Sequence, residues 1–276
     1  KGMPLTAMSD WGWHSFPNVN NLKEEESQKA YDFGHGHSEI YAIEYKKDED
    51  GRHKQATEYF RVNPHRLNLG AVGLEIKDAN GKRIPLSGLT DIHQQLELWN
   101  GEITSSYKAD GANVKVTTIG LPDRDAVAFR ITTPLLKDKR AKACMRLPYP
   151  SGKHADDARE WDKDALHTSS IVTQGDHSAT IKHCIDTTTY YITIRWEGQA
   201  QLQETKAHTY HLSTDADVLA FEVEYLSSPA YTVRQDITPF RFDQAQKTTQ
   251  KFWHKFWTES AFVDFSRCTD PRAKEL

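Results

Sequence analysis

At 276 residues the chain is long for one ordinary domain but within the size of a large all-β sandwich that folds as a single unit. Its 35 basic and 39 acidic residues leave a net charge of −4 and are spread along the sequence, which excludes the basic stripe of a nucleic-acid binder and the polycationic face of a lipid-surface binder. No apolar run approaches the roughly 20 residues needed to cross a bilayer, and no leader precedes Lys1, as expected of a soluble chain already trimmed; Cys144, Cys184 and Cys268 are too few and too scattered for a disulfide framework or a metal knuckle and read as free thiols.

In chain order, residues 39–45 and 55–62 alternate like strands on either side of an acidic Gly turn at 48–51, a hairpin pattern. Residues 67–76 continue it, and Asn80-Gly81 supplies a tight turn before 83–86. Strands follow at 94–100 and 102–109 around Gly101, at 113–120 after Asp110-Gly111, then at 126–132 and 140–147. The charged stretch 153–164 reads as an exposed loop or short helix, with Trp161 covering a groove or tethering the loop. Runs rich in Thr, Val, Ile and Tyr at 169–174, 178–185, 189–196, 201–205, 208–213 and 218–225 complete more than a dozen strands. That number exceeds a seven-strand sandwich and predicts an all-β fold of two large, mostly antiparallel sheets packed face to face. No fixed-period repeat marks a propeller or solenoid.

The rhythm changes at 243–259, where Phe252, Trp253, Phe256 and Trp257 recur at helical spacing and form one broad aromatic face. Asp243 is the predicted N-cap, and Lys251 and Lys255 suit the later turns. The aromatic face is expected to pack on the sandwich, on a further domain, or on both. Residues 262–276 begin another element without a stop signal, so the chain is expected to be the front part of a longer protein.

Four segments carry a family likeness: Pro4-Leu-Thr-Ala-Met-Ser-Asp-Trp-Gly-Trp-His-Ser-Phe-Pro-Asn18, Arg61-Val-Asn-Pro-His-Arg-Leu-Asn-Leu-Gly-Ala-Val-Gly-Leu74, Gln95-Leu-Glu-Leu-Trp-Asn-Gly101, and residues 262–276. Together they resemble the N-terminal region of bacterial glycoside hydrolases with a six-hairpin, (α/α)6 catalytic barrel, relatives of the maltose-phosphorylase and glucoamylase-like enzymes. The resemblance implies a galactose-mutarotase-like β-supersandwich over 1–240, and over 241–276 a linker helix and the start of a helical barrel that carries the catalytic carboxylates. It also implies periplasmic or extracellular placement. One departure is Ala71, where an arginine is commoner in this family's Leu-Gly-x-x-Gly-Leu segment.

Trp11, Trp13, His14 and Asn18 form the leading candidate for carbohydrate contact, because indole faces stack on sugar rings while imidazole and amide reach hydroxyls. The same loop reads equally as an apolar plug against the neighbouring domain, and Phe252, Trp253, Phe256 and Trp257 read as interdomain packing. His35-Gly-His37 with Glu39 lacks a third convergent ligand position and reads as a loop feature rather than a metal site. Asn63-Pro-His-Arg66 reads as a polar corner, with Arg66 placed to fork a carboxylate. Asp123 with Asp125, Asp156 with Asp157, and Asp215 with Asp217 are turn or surface acids, not the opposed pair a glycosidase needs. No catalytic residue, cofactor or metal is therefore assigned. The expected function is a non-catalytic N-terminal domain of a glycoside hydrolase, stabilising the catalytic barrel and shaping its carbohydrate site. Its partners would be carbohydrate, through the intact enzyme, and the C-terminal catalytic domain, with no nucleic acid and no membrane span. Two alternatives stay open: a stand-alone carbohydrate-binding module using Trp11, Trp13 and Trp99, and a mutarotase-like epimerase, which needs an acid and a base on the concave face.

Overall fold

Period-two alternation builds the molecule around two antiparallel sheets. The computed structural model describes residues 9–42, 51–153, 156–227, 239–261 and 263–275. In chain order the strands are β1 (Trp13–His14), β2 (Gln28–Gly34), β3 (His37–Ala42), β4 (His65–Arg66), β5 (Ala71–Ile76), β6 (Leu89–Glu97), β7 (Glu102–Ala109), β8 (Ala112–Gly120), β9 (Ala126–Thr132), β10 (Ala141–Arg146), β11 (His167–Gln174), β12 (Ser178–Ile185), β13 (Thr188–Trp196), β14 (Ala200–Lys206), β15 (Thr209–Thr214) and β16 (Val218–Ser227). The large sheet has the order β11-β12-β13-β16-β9-β8-β7-β6, and the smaller one β14-β15-β10-β5.

The central strand β16 shows why the sheets stack. Its odd residues Leu219, Phe221, Val223 and Tyr225 enter the core between the sheets, where they join Ile192, Ile194 and Trp196 from β13 and Met145, Leu202, Tyr210 and Leu212 from the smaller sheet. Each fully buried Leu, Ile or Val contributes roughly 1.5–3 kcal/mol, and this core supplies most of the fold's stability. The even residues of β16 point the other way. Ala220 there joins Ile119, Leu121, Ala126 and Ala128 in a second apolar cluster, completed by Phe240 and Phe242. The large sheet is thus covered on both faces, which is why β16 is buried along nearly its whole length.

The helix that covers the second face is α3 (Phe242–Glu259), which follows α1 (Arg52–Val62) and the one-turn α2 (Pro134–Lys137) in the chain. Its contact stripe runs through Phe242, Thr249, Trp253 and Trp257, at helical spacing. Phe242 and Thr249 are fully buried, and the Thr249 hydroxyl donates to the Gly120 carbonyl at 3.1 Å. At the far end the Trp257 indole N–H donates to the Leu98 carbonyl at 2.6 Å, and Trp253 lies directly against Gly101.

Several sequence expectations are corrected. Residues 55–62 are not a strand but part of α1. Ala56 and Thr57 are buried and Tyr59 and Phe60 half-buried, a helical and not a two-residue period, while the β-branched and aromatic content mimicked a strand. The hairpin partner of β3 is instead β2, whose exposed polar residues carried no core signal. The strand expected at 67–76 starts only at Ala71, after a loop in which Gly70 adopts φ +147. Residues 83–86 give a single bridge, Lys77 to Arg83, rather than a strand. Arg241, not Asp243, occupies the α3 N-cap, and Asp243 sits in the first turn, where it pairs with Arg130 at 2.6 Å.

Candidate functional site

The outer face of the large sheet carries a buried charge network beside α3. Glu222 and Arg195 are cross-strand partners on β16 and β13, so their side chains emerge together on that face. The Arg195 guanidinium forks two carboxylates, donating through Nε to Glu222 and through Nη2 to Glu224 at 2.8 Å. Arg124 donates from its other side to Glu222 at 2.8 Å and to Asp123 at 3.0 Å. Burial opposes the charge on Arg124, but its bond to Glu222 and the fields of Glu222, Asp123 and Glu224 outweigh that and raise its pKa. Glu222 is only 1% exposed, so its charge is held by these guanidiniums and not by water.

Two adjoining cavities of about 560 Å³ each open over this network. The first runs between it and Phe240, Gln244 and Ala245. The second, which shares Leu121, Asp123, Arg124 and Glu224 with the first, is bounded by Trp11 and Asp125. An indole, carboxylates and a guanidinium around one groove are polar and aromatic side-chain types of the kind that hold hydroxyl-bearing ligands.

The sequence-selected loop residues diverge. Trp11 is half-buried: its indole N–H donates to Asp125 at 2.8 Å, and its ring meets Tyr190 at 6.0 Å. Trp13 is 46% exposed, bonded to the Asp10 carbonyl at 2.9 Å, with the Arg66 guanidinium 4.6 Å from its ring centre. His14 is buried, with Nδ1 2.9 Å from the Thr188 hydroxyl and Nε2 3.1 Å from Asp186. Burial lowers the His14 pKa against the raising effect of Asp186. The same carboxylate accepts from Tyr149 at 3.0 Å, and burial followed by Asp186 pushes that phenol up to about 12. Asn18 clamps its own loop, donating to the Leu22 carbonyl and accepting from the Leu22 amide, both at 2.8 Å. Trp11 alone of the four borders the groove.

The α3 aromatics divide. Trp253 and Trp257 pack against the sheet edge, with Trp257 6.4 Å from Trp99, whereas Phe252 and Phe256 remain 43% and 41% exposed. Beside them lies an apolar recess of about 310 Å³, lined by Leu96, Leu98, Ile103, Pro122 and Phe252.

The remaining candidates have structural partners. His37 lies 3.7 Å from Glu39 on an exposed hairpin, while His35 is in the turn with φ +54. Arg66 donates to the Ser9 carbonyl at 2.8 Å rather than forking a carboxylate. His65 is buried and its pKa lowered by burial, with Asp156 opposing. Asp157 pairs with Arg159 and Asp215 with Lys139. Trp161 is held by Arg146, 4.4 Å from its ring centre, a tether between the loop and the sandwich.

Sequence reasoning missed two clusters. One is the network of Arg124, Arg195, Glu222 and Glu224, whose signal was a Glu-x-Glu inside an otherwise apolar strand. The other is a group of three imidazoles, His167, His183 and His208, which with Asp164 includes the one set of three metal-compatible ligands among the described residues. Burial, with a contribution from His208, pushes His167 down to about 4 and holds His183 well below its ordinary range.

No protein-family model matches the chain, and no curated protein matches it by sequence. Among solved structures, a protein described as a kojibiose phosphorylase, from the human microbiome, aligns at TM-score 0.45 and 15% identity over 70% of this chain and 28% of its own. A family GH92 inverting mannosidase from Bacteroides thetaiotaomicron aligns at 0.39 and 8% identity, over 69% and 26%. A glycoside hydrolase of family 81 from Clostridium thermocellum aligns at 0.34 and 12% identity, over 63% and 19%. The aligned region spans less than a third of each of these three chains. Likenesses at this level carry no conclusion about substrate or chemistry.

Proposed function

We propose that this chain is the non-catalytic N-terminal β-supersandwich domain, residues 1–240 with a linker helix in 241–276, of a glycoside hydrolase working in the periplasm or outside the cell. The observation that carries the reading is the way α3 divides its aromatic face. Trp253 and Trp257 fasten the helix to the sandwich, and Phe252 and Phe256 stay exposed beside the apolar recess at Leu96, Leu98 and Ile103. Such a surface fits an adjoining helical domain: burying the exposed part of the two phenyl rings is worth on the order of 2 kcal/mol. The resemblance of the sequence to six-hairpin glycosidases supports reading that domain as the catalytic barrel.

The charge network supports the non-catalytic part of the proposal. Glu222 and Glu224 lie on the same side of one strand and share Arg195, whereas glycoside hydrolysis needs two carboxyls on opposite sides of the scissile bond. An epimerase would likewise need a free acid and base on that face, and here the two glutamates are committed to guanidiniums. In the intact enzyme the Trp11 side of the groove would contribute to the carbohydrate site.

The test is expression of this chain with and without the coding region that follows it. Glycoside hydrolysis by the longer protein alone, with Phe252→Ser/Phe256→Ser lowering its melting temperature while leaving the short chain unchanged, is the expected result. Hydrolysis by the short chain at a rate comparable to the longer protein would refute the proposal. A carbohydrate-binding module is favoured by one specific observation, the position of Trp11 on the groove with Asp123, Arg124 and Asp125. Saturable quenching of tryptophan fluorescence by an oligosaccharide, lost in Trp11→Ala, would select that reading.

A further inference from the structure

We propose that Asp164, His167 and His208 form a binding site for a divalent first-row transition ion, with zinc as the ion best matched to the ligands. One donor atom from each of the three lies within 4.8 Å of the other two. A zinc ion with ligand bonds of about 2.0–2.1 Å holds its tetrahedral donors about 3.3 Å apart, so closing the site requires a contraction of at most about 1.5 Å. Asp164 is exposed and can move; His167 and His208 are buried and stacked, with ring centres 3.8 Å apart and planes at 29°.

The hydrogen bonds leave His167 with a lone pair to give. Tyr190 donates its hydroxyl hydrogen to the buried Leu69 carbonyl at 3.0 Å. Its oxygen must then accept from His183 Nδ1, 2.7 Å away. His183 is thereby left with Nε2 as an acceptor, 2.6 Å from His167 Nδ1, and His167 supplies the hydrogen. A neutral imidazole protonated on Nδ1 presents Nε2 as a bare acceptor. The chain from His167 through His183 and Tyr190 to Leu69 is the kind of outer support that sets tautomer and ring orientation in metal sites.

His208 has an adjustable support. Its Nε2 lies 3.0 Å from the Asp164 carbonyl and its Nδ1 2.8 Å from the Ser169 hydroxyl, which in turn lies 2.7 Å from the Tyr210 hydroxyl. Both hydroxyls can rotate, so the proton on His208 can move to Nδ1 and be accepted by Ser169. That frees Nε2 for a metal at the cost of the single bond to Asp164. His208 also sits at φ +56 in the turn between β14 and β15, where Gly or Asn turns more cheaply. Three protein ligands leave the fourth position open to water or to a ligand oxygen, and a bound ion would staple the turn at Asp164 to β11 of the large sheet and to the β14–β15 turn of the smaller one.

The test uses the full chain after treatment with a chelator. Calorimetry with Zn²⁺ and visible absorption with Co²⁺ should show one saturable site. Asp164→Asn, at an exposed position that leaves the fold intact, should weaken it by at least tenfold. His167→Ala and His208→Ala, checked for folding by circular dichroism, should remove the Co²⁺ bands. Ser169→Ala should weaken binding 10- to 100-fold, the usual effect of removing an outer support. Absence of saturable binding, or binding that survives Asp164→Asn and His167→Ala but is lost in His37→Ala, would overturn the proposal.

Discussion

Gly101 is the position at which α3 is most exposed to a single substitution. The residue adopts φ +64, and an added Cβ would lie 2.8 Å from Cγ of Trp253 and closer still to its Cδ1 and Nε1. Gly101→Ala therefore incurs two costs. Left-handed backbone with a Cβ costs about 1–2 kcal/mol. Displacing Trp253 from the sheet edge exposes on the order of 100 Å² of indole, worth about 2.5 kcal/mol at 25 cal/mol per Å². The sum, about 4 kcal/mol, falls on the docking of α3 and is read by urea denaturation followed through tryptophan fluorescence, with amide exchange along the helix. The two costs separate experimentally. Gly101→Asn tolerates the backbone better but keeps the clash, so it should lose about 3 kcal/mol. In a Trp253→Ala background Gly101→Ala should cost only the backbone part, a coupling of about 2.5 kcal/mol. A loss below about 0.5 kcal/mol for Gly101→Ala, or the same loss in both backgrounds, would refute the packing argument.

Glu222→Gln replaces the buried carboxylate that Arg195 and Arg124 share with a neutral amide and should cost about 3 kcal/mol in a urea melt, the low end for a broken buried pair because Arg195 keeps Glu224, whereas Asp123→Asn, at the exposed end of the network, should cost less than about 1 kcal/mol; equal losses would contradict the network reading. His14 and His65 have folded pKa values below the ordinary 6.5. The unfolded chain therefore takes up their protons first, so this contribution is at its full value above about pH 6.5, falls as the pH drops through the unfolded value, and levels off below the folded values. His14→Gln/His65→Gln should reduce the slope of stability between pH 6.5 and 5, leaving the part that comes from His167 and His183, and an unchanged slope would contradict the assignment.

Much of the sandwich could be read from alternation. Strands β7, β8, β9, β12, β13 and β16 stand close to where apolar alternation and turn residues placed them, because one face of each is buried and its register cannot slip without exposing the core. The segment 55–62 deceived because Thr57, Tyr59, Phe60 and Val62 favour strands locally, and only the burial of Ala56 and Thr57, in a helix packed on the turn at Glu24–Ser27, decides against a strand. Asn18 and Trp13 were recognisable as polar and aromatic, but their local partners, the Leu22 backbone and Arg66, were not. The charge network joins Arg195 to residues 27 and 29 positions away, and the imidazole cluster joins His167 to residues 16 and 41 away. No short-range pattern encodes pairings made by strands that meet only in the sheet, or by a turn of one sheet packed on a strand of the other.

The most direct measurement is a comparison of glycoside hydrolysis by this chain alone, by its continuation alone, and by the two joined. The account predicts turnover only where the continuation is present, with the joined form more stable than the continuation by itself. Turnover by this chain alone, or a continuation whose stability is unchanged by joining, would contradict it.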